Sequence, residues 1–234
     1  MKHVPNIITC LNLFAGCLAC MMVLGYGNYF GALIFMLLAA VFDFLDGFAA
    51  RALKAYSPIG AQLDSLADVI SFGMAPACIL YAFLFEISTH FPLREGICFF
   101  PFLITIFAAL RLAKFNVDTR QTESFLGLPV PANGLFWAAL IPAIFPYIDN
   151  NESLISGIIL GLIIIFCLLM VSEIPMFSLK FKNYSWENNK YAYILIGLSI
   201  VFIFAFKVLG ISLIIVAYIL LSLFKNTFSS RLSS

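Results

Sequence analysis

Charged side chains are scarce in this chain. Asp, Glu, Lys and Arg together supply 11% of its 234 residues, against about 25% in an ordinary soluble domain. That shortage excludes a free-standing soluble fold, and the 63% hydrophobic content and mean hydropathy of +1.05 point the same way. The net charge of +1 gives no field to attract nucleic acid, so no nucleic-acid partner is expected. Histidine is almost missing: His3 and His90 stand alone and form no imidazole cluster. Cysteines occur at positions 10, 17, 20, 78, 98 and 167, all within or beside apolar runs. Cys17 and Cys20 form a CxxC, but without a second pair or a nearby histidine; the six are expected to be buried small hydrophobes. No repeat or low-complexity tract is visible, and the length leaves no room for a separate soluble domain.

Apolar runs dominate instead. A helix that crosses a bilayer needs about 20 mostly apolar residues. Eight segments qualify: 6–25, 28–50, 62–85, 96–115, 131–148, 153–174, 189–206 and 208–224. Only Lys207 and its neighbours separate the last two, which predicts a tight helical hairpin. The opening MKHVPNIITCLNLF resembles a signal peptide but lacks a small-x-small cleavage site, so it is read as the first span. Gly157 and Gly161 form a small-xxx-small pair in the sixth span, suited to helix packing. The expected fold is therefore all-α: a polytopic membrane helix bundle forming a single integral-membrane domain over 1–234.

Basic residues set the orientation. With the N-terminus in the cytoplasm, alternation places Lys2, Arg51, Lys54, Arg111, Lys114, Arg120, Lys180, Lys182, Lys190, Lys225 and Arg231 on the cytoplasmic side, and only Arg94 and Lys207 on the other. That asymmetry obeys the positive-inside rule and disfavours an odd number of spans. Both termini are then expected in the cytoplasm, in a multi-pass protein of the cell membrane.

One stretch breaks the apolar pattern. DFLDGFAARALKAYSPIGAQLDSLAD, from Asp43 to Asp68, holds four aspartates and two basic residues at the cytoplasmic mouth of spans two and three. Asp43 and Asp46 are three apart, about 60° on a helix, and Asp64 and Asp68 are four apart, about 40°. Each pair shows one face, so a hairpin of the two helices can bring all four carboxylates to one point. Arg51 and Lys54 do not neutralise four acids. Carboxylates without imidazole or thiolate suit hard cations such as Mg²⁺ or Mn²⁺, and two such ions can clamp a phosphoryl displacement. Gly47, Ala49, Ala50, Gly60 and Ala61 leave space beside the acids for a bulky ligand, or let the helices approach closely.

These residues match the signature D-x2-D-G-x2-A-R-x8-G-x3-D-x3-D of the CDP-alcohol phosphotransferases at every fixed position: Asp43, Asp46, Gly47, Ala50, Arg51, Gly60, Asp64 and Asp68. The chain thus resembles that family, which implies a six-helix core, about 1–175 here, with 189–224 as an added hairpin. PNIITCLNLFAG (5–16), LDSLADVISFGMAPA (63–77) and FLGLPVPANG (125–134) resemble the membrane-embedded bacterial phosphatidylserine synthase branch. That branch implies CDP-diacylglycerol and L-serine as substrates, and phosphatidylserine and CMP as products.

The resemblance also implies roles. Asp43, Asp46, Asp64 and Asp68 correspond to ligands of Mg²⁺ or Mn²⁺, two ions in all, with Asp68 as the general base. Asn6, Thr9, Gly47, Ala50, Arg51, Ser57 and Gly60 correspond to CDP-diacylglycerol contacts, and a homodimer follows by analogy. Arg111, Asn116 and Arg120 in the segment 111–129 are candidates for the serine site, since a basic residue can clamp a carboxylate; the same residues also suit anionic lipid heads. Rival readings are transfer to glycerol-3-phosphate, inositol or inositol phosphate, a membrane prenyltransferase, and a cation transporter. The prenyltransferase would lack the G-x2-A-R-x8-G pattern between its acids, and the transporter would carry its acids near mid-membrane.

Overall fold

Pro5 and Gly27 frame the first helix, α1 (Val4–Tyr26). Pro5 sits in the first turn, where a missing N–H breaks no helical bond. Gly27 ends the helix in the left-handed region at φ 60°. Asn28 then caps α2 (Tyr29–Ala52), its Oδ1 accepting the Gly31 N–H at 2.7 Å. The two-residue link makes α1 and α2 a closely packed helical hairpin. Ser57 caps α3 (Pro58–Asp68) in the same way, accepting the Gly60 N–H at 2.9 Å, with Pro58 in the first turn.

Residues 3–87, 94–118, 125–148, 152–177 and 185–232 are described by the structure, a computed structural model. From α3 the chain passes through a π-helical turn (Val69–Met74) into α4 (Ala75–Ile87), giving one span of 30 residues. Pro76 cannot donate to the Phe72 carbonyl; just before it, the Ala75 N–H reaches the Ile70 carbonyl, five residues back. A short α5 (Arg94–Phe99) leads past Pro101 into α6 (Phe102–Val117). Then come α7 (Val130–Ile144), closed by a 3₁₀ turn (Phe145–Tyr147), α8 (Glu152–Val171), α9 (Trp186–Phe206) and α10 (Val208–Leu232).

The π turn lies at the centre, against α1, α6 and α7. Such turns are frequent at functional sites. Two glycines permit the approach. A Cβ on Gly16 of α1 would come 2.7 Å from the Ser71 Cα, and one on Gly134 of α7 would come 2.9 Å from the Phe72 carbonyl oxygen. Around this point Phe72, Ile79, Leu80, Phe83 and Trp137 are fully buried. Trp137 donates its indole N–H to Asn133 Oδ1 at 3.1 Å, which satisfies the one polar atom of the largest core side chain. The outer faces are apolar instead, with Ile7, Phe14, Phe44 and Phe204 exposed, as lipid contact requires.

Among the described residues eight helices are long and apolar enough to cross a membrane, and the protein is a multi-pass membrane helix bundle. The expected spans are found with shifted ends. The third starts at Pro58, because Ser57 and Pro58 start a helix ahead of the apolar run. The eighth span, α10, runs on to Leu232 on polar residues. The α9–α10 hairpin turns at Lys207, at φ 51°. Ser212 of α10 donates to the Phe136 carbonyl of α7 at 2.8 Å, so the hairpin docks through α10.

Three features differ from the sequence reading. A short antiparallel pair, Phe125–Leu126 (β1) with Pro175–Met176 (β2), clips the α6–α7 connection to the end of α8. Gly157 and Gly161 face open space and pack against no helix of the described residues. Cys78, Cys98 and Cys167 are buried, but Cys10 and Cys17 are exposed on the outer surface of α1 and Cys20 is half-buried. A cysteine on a bilayer-facing surface meets an apolar medium without being inside the protein.

Candidate active site

The start of α1, the end of α2 and the start of α3 meet at one end of the bundle. The helices that carry the two aspartate pairs do not form the packed hairpin that the spacing suggested. α2 and α3 barely touch, and each packs against α1 instead. Between them opens a cavity of about 200 Å³. The small side chains of Gly47, Ala50, Gly60 and Ala61 along its wall explain why the helices leave this space.

Three of the four aspartates converge. Asp43, Asp64 and Asp68 each present a carboxylate oxygen, and these oxygens lie within 4.8 Å of one another. Asp46 turns aside, accepting a hydrogen bond from Thr9 Oγ1 at 2.7 Å, and lines the cavity next to Asp64. Asp46 and Asp68 are buried, at 6% and 7% exposure. Asp68 Oδ1 accepts from Asn12 Nδ2 at 3.4 Å. Among the described residues no Lys, Arg or His lies within 4.0 Å of any of the four, so pairing with Arg51 or Lys54 does not account for them.

The donor set fits a hard divalent cation. It consists of carboxylate oxygens only, no basic side chain among the described residues pairs with it directly, and Asp64 Oδ1 is buried without any hydrogen-bond partner. A buried acceptor left unpaired is costly, and a cation would satisfy it. The adjoining cavity gives room for the phosphates that Mg²⁺ commonly bridges to carboxylates.

Six of the seven residues expected to touch the nucleotide lipid line the cavity: Asn6, Thr9, Gly47, Ala50, Ser57 and Gly60. Arg51 does not line it. Its guanidinium lies along the Gly47 face of α2, where a Cβ on Gly47 would stand 3.5 Å from a terminal nitrogen. Of the candidates for the serine site, Arg111 is buried on α6, with Nε unpartnered, within electrostatic reach of Asp68. Asn116 is exposed and bonds through Nδ2 to Ser65 Oγ of α3 at 3.0 Å. Arg120 lies outside the described residues.

Two residues escaped the sequence reading. Tyr56 lines the cavity. Asn12 is fully buried against Asp68. The signal for Asn12 was present: Asn6, Thr9 and Asn12 recur every three residues as the polar positions of an otherwise apolar α1, a spacing that keeps them on one side of a helix.

Residues 2–172 match the family described as CDP-alcohol phosphatidyltransferase. The chain is similar to a CDP-diacylglycerol–serine O-phosphatidyltransferase of Helicobacter pylori strain J99, 33% identical over 88% of this chain and 84% of that protein. It is similar to the protein of the same name from Bacillus subtilis, 34% identical over 80% of this chain and 96% of that one. An archaetidylserine synthase of Methanothermobacter thermautotrophicus is 38% identical over 54% of this chain and 52% of its own length.

Proposed function

The chain belongs to the CDP-alcohol phosphatidyltransferase family, and from that premise we propose that it transfers the phosphatidyl group of CDP-diacylglycerol to the hydroxyl of L-serine, giving phosphatidylserine and CMP. The observation that carries the chemistry is the convergence of Asp43, Asp64 and Asp68 within 4.8 Å beside a cavity formed by α1, α2 and α3. The acceptor follows from the relatives, which are named for transfer to serine and match most of the chain.

Asp43, Asp46, Asp64 and Asp68 hold the metal site, which takes two ions of Mg²⁺ or Mn²⁺. When bound, the ions polarise the pyrophosphate and offset the charge that develops on the departing CMP. Gly47, Ala50 and Gly60 leave room for the nucleotide, while Asn6 and Thr9 contact it from α1. Arg51 and Ser57 contact its phosphates. Arg111, Asn116 and Arg120 belong to the serine site, where one of the basic residues clamps the carboxylate. Asp68 takes the proton from the serine hydroxyl. The oxygen then bonds to the lipid-side phosphorus, and the bond from that phosphorus to the CMP oxygen breaks. Transfer is direct: among the described residues no Ser-His or Cys-His pairing supports a covalent intermediate.

The site opens to the cytoplasmic side, which supplies water-soluble serine and receives water-soluble CMP, and both termini lie on that side. The working unit is a homodimer, a reading that rests on family resemblance alone.

The test is CMP release by the purified protein. CDP-diacylglycerol should give CMP and a new lipid with L-serine, but not with glycerol-3-phosphate, inositol or inositol phosphate. Chelation should abolish the release, and Mg²⁺ or Mn²⁺ should restore it. Turnover with inositol instead of serine would overturn the acceptor, and full activity in a metal-stripped sample would overturn the metal site.

A further inference from the structure

The side chain of Asn12 is fully buried, and its two polar atoms fare differently. Nδ2 donates to Asp68 Oδ1 at 3.4 Å. Oδ1, on the same planar amide, has no partner at all. The neighbouring hydroxyl cannot supply one: Ser71 Oγ has a single hydrogen and donates it to the Asn12 backbone carbonyl at 3.0 Å. The backbone that carries the amide is fixed, because α1 is pinned to the π turn through that bond and through Gly16 one turn later.

A buried amide oxygen without a donor is unfavourable, and native structures seldom keep one without a reason. A donor that arrives with the substrate would supply that reason. Arg111 presents the complementary case, a buried Nε without an acceptor, within electrostatic reach of the same Asp68. An unpaired acceptor and an unpaired donor near one carboxylate match a zwitterion that brings an ammonium, a carboxylate and a hydroxyl.

Building on the serine-transfer reading, we infer that Asn12 reads the α-ammonium of the acceptor amino acid: Oδ1 accepts one of its N–H bonds while Nδ2 holds Asp68 in place for the hydroxyl proton. Asn12 makes and breaks no covalent bond. It fixes which alcohol can sit beside the base, because an acceptor without the ammonium leaves Oδ1 buried and unpaired. The charge-assisted N–H of an ammonium is the stronger donor for this position.

The experiment uses the full chain with CDP-diacylglycerol and Mg²⁺, comparing L-serine with 3-hydroxypropanoate, which keeps the hydroxyl and carboxylate but carries hydrogen in place of the ammonium. The parent protein should prefer serine. In Asn12→Ala, kcat/KM for serine should fall about 10- to 100-fold, the range of one hydrogen bond to a charged group. The smaller loss with 3-hydroxypropanoate should leave the preference at least several-fold narrower. Asn12→Asp keeps the acceptor oxygen and loses the donor. It should keep the preference for serine while kcat falls for both acceptors, and it decides the matter alone if the alanine variant does not fold. CDP-diacylglycerol binding should be unchanged in both variants. A preference equal to the parent's in Asn12→Ala, or one lost in Asn12→Asp, overturns the inference. A parent protein that releases no CMP with serine removes the proposed function itself, and that failure is visible before any variant is made.

Discussion

Asp64 and Asp68 lie one helical turn apart on α3, yet their surroundings differ. Asp64 is half-buried, lines the cavity and has an unpartnered oxygen, as suits a cation ligand. Asp68 is buried deeper and held by Asn12. Replacement by asparagine should therefore separate them. Asp64→Asn should weaken CDP-diacylglycerol binding along with metal binding. Asp68→Asn should leave CDP-diacylglycerol affinity nearly intact and reduce single-turnover transfer by about 10²- to 10⁴-fold, the usual contribution of a general base. Rapid-quench measurement of CMP alongside lipid-binding titrations would distinguish the two. An Asp68→Asn protein that reacts with serine at the parental rate would place the base elsewhere, with the segment after Arg111 the first place to look.

At the scale of elements, the π turn between α3 and α4 sets the geometry. It puts Ser71 against α1, Phe72 against α7 and Gly73 against α6, where a Cβ on Gly73 would stand 3.0 Å from the Ala108 Cβ. Asp68 is the residue immediately before it, so close packing at this turn fixes the depth at which Asp68 sits. Gly134→Val should be destabilising, because the added carbons meet the Phe72 backbone and not the end of a flexible side chain. Overpacking of this kind typically costs about 1–3 kcal/mol. Thermal unfolding in detergent should show a lower midpoint for Gly134→Val. Gly157→Val, which meets nothing within 4 Å, should unfold like the parent. Equal midpoints for the parent and the Gly134 variant would mean that α7 is not closely seated on the turn.

Over the whole molecule, the eight spans and the distribution of basic residues lead to a topology that can be checked directly. Tags at residues 2 and 232 should both be protected in right-side-out vesicles, while a tag in 149–152 should be accessible to a membrane-impermeant reagent. External labelling of either terminus would refute the proposed sidedness. The molecule as a whole also shows what could be read in advance. The spans were legible because a bilayer requires long apolar helices whatever their neighbours, so length and hydropathy suffice. The four aspartates were legible because carboxylates are costly in an apolar setting and stand out against it. Helix ends were less legible, since capping by Ser57 and the polar extension of α10 do not depend on hydropathy.

The sequence by itself determined the helical membrane class, the span order and the acidic stretch from Asp43 to Asp68, because each rests on local composition and spacing. Only the tertiary structure decided that α1 packs against both α2 and α3, which barely touch each other, and that Asp46 turns to Thr9 while the other three aspartates meet. It also decided that Asn12 comes to Asp68 across 56 residues of sequence. Such contacts depend on how whole helices pack, on where glycines let backbones meet and on which bonds are left unpaired, and no spacing along one helix encodes them.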